Sequence, residues 1–345
     1  GVGVVGGEAA GRAGCGGLSM ATSHTELWQR ATVVEVRAVA DAVQRIVLAP
    51  EHPVAIEPGA HLDVRLPLGT DTVQRSYSIV DADISGSRIS LSVFRSLHSR
   101  GGAGLMHALV PGDTLTVSHP LQDFPLRFGA RSYVLLAGGI GITAIAGMAR
   151  VLRDRGDDYR LIYVGRTRAA MAYLDELIAL HGDRLDVHVG DENTSLDVRR
   201  LVSTLEPDTE LYQCGPIRLM DAVRREWIER ELPIASLRFE TFGNSGWFEP
   251  QEFTVRLPQF GIETVVGPTQ SMLEALEAAG ADMMFDCRKG ECGLCEVRVL
   301  ELEGEIDHRD VFYSERQRDA RSKLCCCVSR VARPQLGAVV TISSS

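Results

Sequence analysis

The sequence predicts a chain of several domains: a small β-barrel, then a parallel α/β sheet, then a short cysteine-bearing unit. Three observations carry this reading. Residues 24–128 alternate apolar and polar side chains with period two, between turn signals. Residues 129–241 alternate continuous apolar runs with helical stretches. Six of the eight cysteines fall between Cys287 and Cys327. A length of 345 residues supports two or three domains.

The first unit rests on His61-Leu62-Asp63-Val64-Arg65-Leu66 and Arg88-Ile89-Ser90-Leu91-Ser92-Val93, each alternating as a half-buried strand does. Pro58-Gly59 and Pro111-Gly112 mark turns. In the second unit, Tyr133 to Ala137 is an apolar run followed by glycines and a helix over Ala146–Arg153. Leu161 to Val164 and a helix over Met171–Leu180 repeat the pattern, with further strands at Leu185–Val189 and Leu211-Tyr212. Residues 242–251 read as a linker. In the last unit, 252–345, Phe253–Leu257 and Glu263–Val266 suggest a hairpin. Ser271-Met272-Leu273-Glu274 has capping-box form, so a helix starts there and stops at Gly280.

Composition excludes several classes. Apolar content of 45% and charged content of 24% are those of a soluble globular protein. A net charge of −10 argues against nucleic acid and fits docking on a basic protein surface. No apolar run reaches eighteen residues, so no membrane span is expected. Residues 1–23 read as a disordered tail or upstream artefact, glycine-rich before Met20 and without the form of a secretory signal. A cytoplasmic protein is expected, and clustered thiols there hold metal more often than disulfides.

Cys287-x4-Cys292-x2-Cys295, with Cys327 further on, has the spacing of plant-type [2Fe-2S] ligands. Gly290 and Gly293 give the loop the freedom to wrap a cluster. A zinc site usually pairs two Cys-x2-Cys knuckles, and one is present. Cys325, Cys326 and Cys327 are adjacent, so spacing leaves the fourth ligand open among them.

Arg75-Ser76-Tyr77-Ser78 supplies a cation for a flavin phosphate, an aromatic ring and small hydroxyls within four residues. Arg100-Gly101-Gly102 leads into a helical stretch, where free backbone N–H groups suit an anion. Gly138-Gly139-Ile140-Gly141-Ile142-Thr143 follows an apolar strand and lets a pyrophosphate approach the backbone. It is not the Rossmann fingerprint. Cys214-Gly215-Pro216 follows another strand. Alone, Cys214 reads more readily as a core cysteine, the commoner fate of a lone Cys. Arg166 and Arg168 follow the second strand, where a nucleotide 2′-phosphate could be read. Asp307-His308-Arg309-Asp310 and the acidic residues from Glu296 to Glu305 read as solvated surface.

In this order, the motifs resemble the phthalate dioxygenase reductase family, which includes the reductase of vanillate demethylase. The resemblance runs from about residue 25 to the end. It implies a multidomain fold: an antiparallel β-barrel flavin domain, an α/β parallel-sheet nucleotide domain, and a C-terminal β-grasp plant-type ferredoxin domain. By resemblance, FMN meets Arg75, Ser76, Tyr77, Ser78, Arg100, Gly101 and Gly102. NADH, with NADPH as the alternative, meets Gly138, Gly139, Gly141, Thr143, Arg166 and the triplet Cys214, Gly215 and Pro216. Ser78, Cys214 and Phe242 flank the hydride, and Cys327-Val328-Ser329-Arg330 selects Cys327 as the fourth ligand. Ala103 and Ala144 depart from the family, which often has a hydroxyl residue and Pro there; the first keeps FAD open. The implied reaction takes a hydride from NAD(P)H and passes single electrons through the cluster, near about −400 mV, to a Rieske-type non-haem iron oxygenase. The alternatives are a cytochrome or other diffusible acceptor, or a non-enzymatic metal sensor.

Overall fold

The computed structural model describes residues 27–68, 71–95, 101–243, 245–333 and 337–344. Arg100 and the tail 1–23 lie outside them.

The first unit is a closed antiparallel barrel. Its strands are β1 (Trp28–Ala40), β2 (Val43–Pro50), β3 (His61–Leu68), β4 (Asp71–Ala82), β5 (Ile89–Phe94) and β6 (Thr114–Ser118), with the short helix α1 (Gly102–His107) before β6. The order is β1-β2-β5-β4-β3-β6, and β1 closes on β6 from Trp28↔Ser118 to Thr32↔Thr114. Closure leaves no open edge. The period-two pattern explains the inside: Ile46, Leu48, Leu62, Val64, Leu66 and Leu91 fill it.

The second unit is a parallel sheet: β7 (Ser132–Gly138), β8 (Tyr159–Gly165), β9 (Leu185–Val189), β10 (Thr209–Cys214) and β11 (Leu237–Glu240). Helices α2 (Ile142–Arg155), α3 (Leu174–His181), α4 (Val198–Ser203) and α5 (Ile217–Glu229) connect them. The order β11-β10-β7-β8-β9 reverses direction between β7 and β10. Ligands of open α/β sheets bind outside the strand ends at such a switch point. Helix α3 starts later than the sequence suggests. Thr167 caps a single 3-10 turn at Arg168–Ala170, and Tyr173 takes a left-handed φ of 62° just before the helix.

The third unit is a mixed sheet of β12 (Phe253–Leu257), β13 (Ile262–Val266), β14 (Glu296–Glu303), β16 (Lys323–Cys325) and β18 (Ala338–Ser344), in the order β13-β12-β18-β14-β16. The pair β15 (Glu305–Asp307) and β17 (Arg330–Ala332) stands beside it, with α6 (Met272–Ala278) and α7 (Glu315–Asp319). The Ser271–Glu274 capping box forms as the sequence predicts. The surface reading of Asp307 to Asp310 is overturned. All four residues are buried, Asp310 completely. Arg309 pairs with Asp307 at 2.7 Å, and Asp310 accepts from Tyr313 N–H at 3.0 Å and the Ser329 hydroxyl at 3.1 Å. Such mutual pairing is what lets charges stay inside.

Candidate functional site

The two loops after β7 and β10 cross at the switch point. A Cβ on Gly138 would sit 2.6 Å from Pro216 Cδ, and one on Gly215 would sit 3.0 Å from Gly138 Cα. A Cβ on Gly141 would meet the Cys214 carbonyl oxygen at 2.1 Å. These glycines therefore let two backbones touch. Gly139, at φ +54°, has nothing within 4 Å of its Cβ position and presents open backbone. Thr143 is buried and donates its hydroxyl to the Ile140 carbonyl at 2.9 Å, which tightens the turn. Cys214 is buried at the end of β10, and Phe242 packs against the same core. Burial pushes the Cys214 thiol well up, helped by the nearby Glu240 carboxylate, so it stays a neutral thiol.

On the barrel, β4 brings its motif to the same side. Ser78 is buried and donates to Glu240 Oε2, at the end of β11, at 3.0 Å. Ser76 is exposed and donates to Asp63 Oδ1 across the β3–β4 pair. Tyr77 is half-buried against the barrel core. A Cβ on Gly102 would lie 3.0 Å from Arg75 Cγ, so the Gly101-Gly102 turn and Arg75 share one place. Arg75 also meets Glu274 of α6 at 3.2 Å, which ties the third unit to the barrel.

The cysteine loop is held by its own backbone. Cys287 Sγ accepts N–H groups of Lys289, Glu291 and Cys292, each at 3.4 Å. Donors aimed at a sulfur suit a thiolate bonded to iron. Gly290 and Gly293 have φ of +78° and +76°, and a Cβ at either would strike Val328 and Asp310, or the Phe312 ring. Among the described residues, no group of three or more His, Cys, Asp or Glu is arranged to hold a single metal ion. The thiols gather around two centres instead. The thiol of Cys287 neighbours that of Cys292, and the thiol of Cys295 neighbours those of Cys325, Cys326 and Cys327. A group of two thiols beside a group of four contains the four donors that two irons need, so these residues fit the cluster that the spacing implies.

Three residues at the junction escaped the sequence reading: Glu240, Lys289 and Asp123. Lys289 Nζ lies 3.8 Å from Glu240 Oε1 and 3.8 Å from Asp123 Oδ2. Glu240 is 2% exposed, and burial raises its carboxyl to about 7 although Lys289 opposes the rise. Glu240 is the last residue of β11, and nothing local in the sequence marks it as buried.

At the far end of the crevice, Arg166 is exposed at the end of β8. Arg168 is engaged by Glu192 through two contacts, Nε to Oε1 at 2.6 Å and Nη2 to Oε2 at 2.9 Å.

Residues 256–332 match the family model described as a 2Fe-2S iron-sulfur cluster binding domain. Over 286 residues the chain is 33% identical to the carnitine monooxygenase reductase subunit of Escherichia coli (strain K12), covering 81% of this chain and 87% of that protein. It is 34% identical over 288 residues to phthalate dioxygenase reductase of Burkholderia cepacia, covering 81% and 86%. A solved phthalate dioxygenase reductase, titled a modular structure for electron transfer from pyridine nucleotides to [2Fe-2S], matches with a TM-score of 0.68 at 31% identity, over 91% of this chain and 98% of that one. An intact type IV self-sufficient cytochrome P450 monooxygenase matches with a TM-score of 0.62 at 34% identity, over 91% of this chain. This chain spans about two-fifths of that one's length, 41%.

Proposed function

Because this chain belongs to the phthalate dioxygenase reductase family of oxidoreductases, we propose that it oxidises NADH and delivers single electrons to a Rieske-type oxygenase. One observation carries the reading. Ser78 of the barrel, Glu240 of the parallel sheet and Lys289 of the cysteine loop form one contact chain. The three units therefore meet where a hydride donor, a flavin and a cluster would have to meet.

In this reading NADH lies over the switch point, with its pyrophosphate along Gly138, Gly139 and Gly141 and its nicotinamide end toward Cys214, Gly215 and Pro216. The open backbone at Gly139 supports this placement. Arg75, Ser76, Tyr77, Gly101 and Gly102 would hold FMN, and Cys287, Cys292, Cys295 and Cys327 the cluster. When bound, these two groups together turn one two-electron donor into a source of single electrons. The protein's part is to orient and to exclude water. Neutral Cys214 and Phe242 wall the pocket. The Ser78 hydroxyl is fixed by Glu240, so it holds one direction in the pocket rather than rotating. Cys327 is preferred as the fourth ligand because Cys327-Val328-Ser329-Arg330 matches the end of the family's cluster motif, and Val328 packs against Gly290 of the cysteine loop.

The likeness to a self-sufficient cytochrome P450 favours one second reading, delivery to a cytochrome. Anaerobic NADH titration of purified protein, followed by visible and EPR spectra, tests the core claim. Bleaching of a flavin together with a reduced two-iron signal is expected; a colourless protein sinks both readings. Turnover with purified Rieske oxygenases but not with cytochromes then separates the two acceptors.

A further inference from the structure

Lys289 is a lysine where lysine is costly. It is 8% exposed, and its Nζ is buried without a hydrogen-bond partner. Lysine is almost never buried unless paired, because its charge loses water. Here the nearest acceptors are carboxylates at 3.8 Å on two other units: Glu240 at the end of the parallel sheet, and Asp123 between barrel and sheet. The backbone N–H of the same residue donates to Cys287 Sγ at 3.4 Å. One residue thus touches a proposed cluster ligand with its main chain and the proposed hydride pocket with its side chain.

Neighbouring contacts reinforce the clamp. Glu291 Oε1 accepts the Thr241 N–H at 2.8 Å, so the loop straddles Glu240-Thr241 from both sides. A Cβ on Gly243 would lie 2.6 Å from Val328 Cγ1 and 3.6 Å from the Lys289 carbonyl oxygen, so the two backbones pack directly. Glu240 in turn holds Ser78.

We propose that Lys289 is a positioning residue that locks the cluster-binding loop onto the hydride pocket through Glu240 and Asp123, and thereby sets the rate of electron passage from that pocket into the loop. The proposal rests on the functional reading above. Electron transfer slows steeply with distance, so a loop free to lift away passes electrons slowly even when both redox groups are bound. Lys289→Met removes the clamp and keeps the aliphatic stem. Lys289→Arg keeps the charge. Lys289→Met with Glu240→Gln removes both charges at once.

Stopped-flow mixing with NADH reads flavin bleaching and cluster reduction separately, and hydrogen exchange reads mobility of residues 288–292. In Lys289→Met, cluster reduction is expected to slow by about tenfold or more. Flavin bleaching slows less than cluster reduction does, and exchange in 288–292 rises. Lys289→Arg recovers most of the lost rate. The double variant regains thermal stability but not the rate, because charge balance alone does not hold the loop. Unchanged cluster reduction and unchanged exchange in Lys289→Met overturn the proposal. So does a double variant with the full wild-type rate, which would make Lys289 a mere counter-charge. A wild-type protein that holds neither flavin nor cluster overturns the functional reading, and the clamp falls with it. If Lys289→Met loses its iron, the exchange of 288–292 in Lys289→Arg decides: wild-type protection supports the clamp, and protection lost despite retained charge and iron overturns it.

Discussion

Glu240 keeps a carboxyl group where its charge is poorly solvated, and the consequence is a pH dependence of stability. Its folded value is raised from the ordinary 4.5 to about 7, chiefly by burial. The folded state therefore binds the proton more tightly than the unfolded chain. That contribution is complete below about pH 4.5 and is lost as pH rises toward 7. Glu240→Gln cannot titrate, so the melting temperature of the wild type minus that of Glu240→Gln should shrink from pH 4.5 to pH 8. A constant difference would show that Glu240 is charged throughout. A second residue-scale prediction concerns the nucleotide. Glu192 occupies both arms of Arg168, and its own charge repels a 2′-phosphate. Glu192→Gln should raise kcat/KM for NADPH about tenfold, the worth of one charge-assisted hydrogen bond, and leave NADH little changed. Equal ratios in wild type and variant would clear the pair of any part in nucleotide choice.

At the scale of single elements, the cysteine loop was the most legible part of the sequence, because ligand types, glycines and spacing all lie within nine residues. The glycines at 290 and 293 do hold positive φ, as wrapping requires. The α/β alternation was equally readable, since β7 and the centre of β8 are continuous apolar runs followed by helical stretches. What local reasoning missed is whatever depends on partners distant in the chain. Asp307 to Asp310 looks polar and exposed until Trp247, Phe248 and Ser329 are seen supplying its hydrogen bonds. Lys289 looks like a solvated loop residue until Glu240 is placed against it. Three adjacent cysteines likewise differ only in what surrounds them. Cys325 ends β16, and the carbonyl of Cys326 accepts the Leu273 N–H of α6 at 3.0 Å. Cys327 leads into Val328, whose Cγ2 would lie 2.6 Å from a Cβ on Gly290 of the cysteine loop. Cys327→Ser should therefore lose most of its iron and acid-labile sulfide, while Cys325→Ser and Cys326→Ser keep both. Iron loss in Cys325→Ser alone would reassign the ligand.

At the scale of the whole molecule, the third unit is docked by ion pairs rather than left on a tether. Helix α5 supplies two of these pairs. Asp221 meets Arg318 of α7 at 2.6 Å, with both side chains largely buried. Arg224 donates to the carbonyls of Val311 and Tyr313 at 3.1 and 2.9 Å, and Arg225 meets Glu315 at 2.8 Å. The segment gripped in this way continues from Asp310, whose Cα would lie 2.9 Å from a Cβ on Gly290. The helix of the nucleotide unit thus braces the ground beneath the cysteine loop. Removing one member of a buried pair leaves its partner's charge uncompensated, which costs about 3–5 kcal/mol. In Asp221→Ala that cost falls on Arg318, which keeps Asp310 as a neighbour at 3.8 Å, so docking weakens without dismantling either core. Calorimetry should then split the unfolding trace, with a lower transition belonging to the iron–sulfur unit and the flavin transition unmoved. Arg225→Ala is the matched comparison, because its partner is exposed and such pairs are worth only about 0–1 kcal/mol. A wild-type trace in Asp221→Ala would mean that the third unit is held by its contacts with the barrel, where Glu274 meets Arg75, and not by α5.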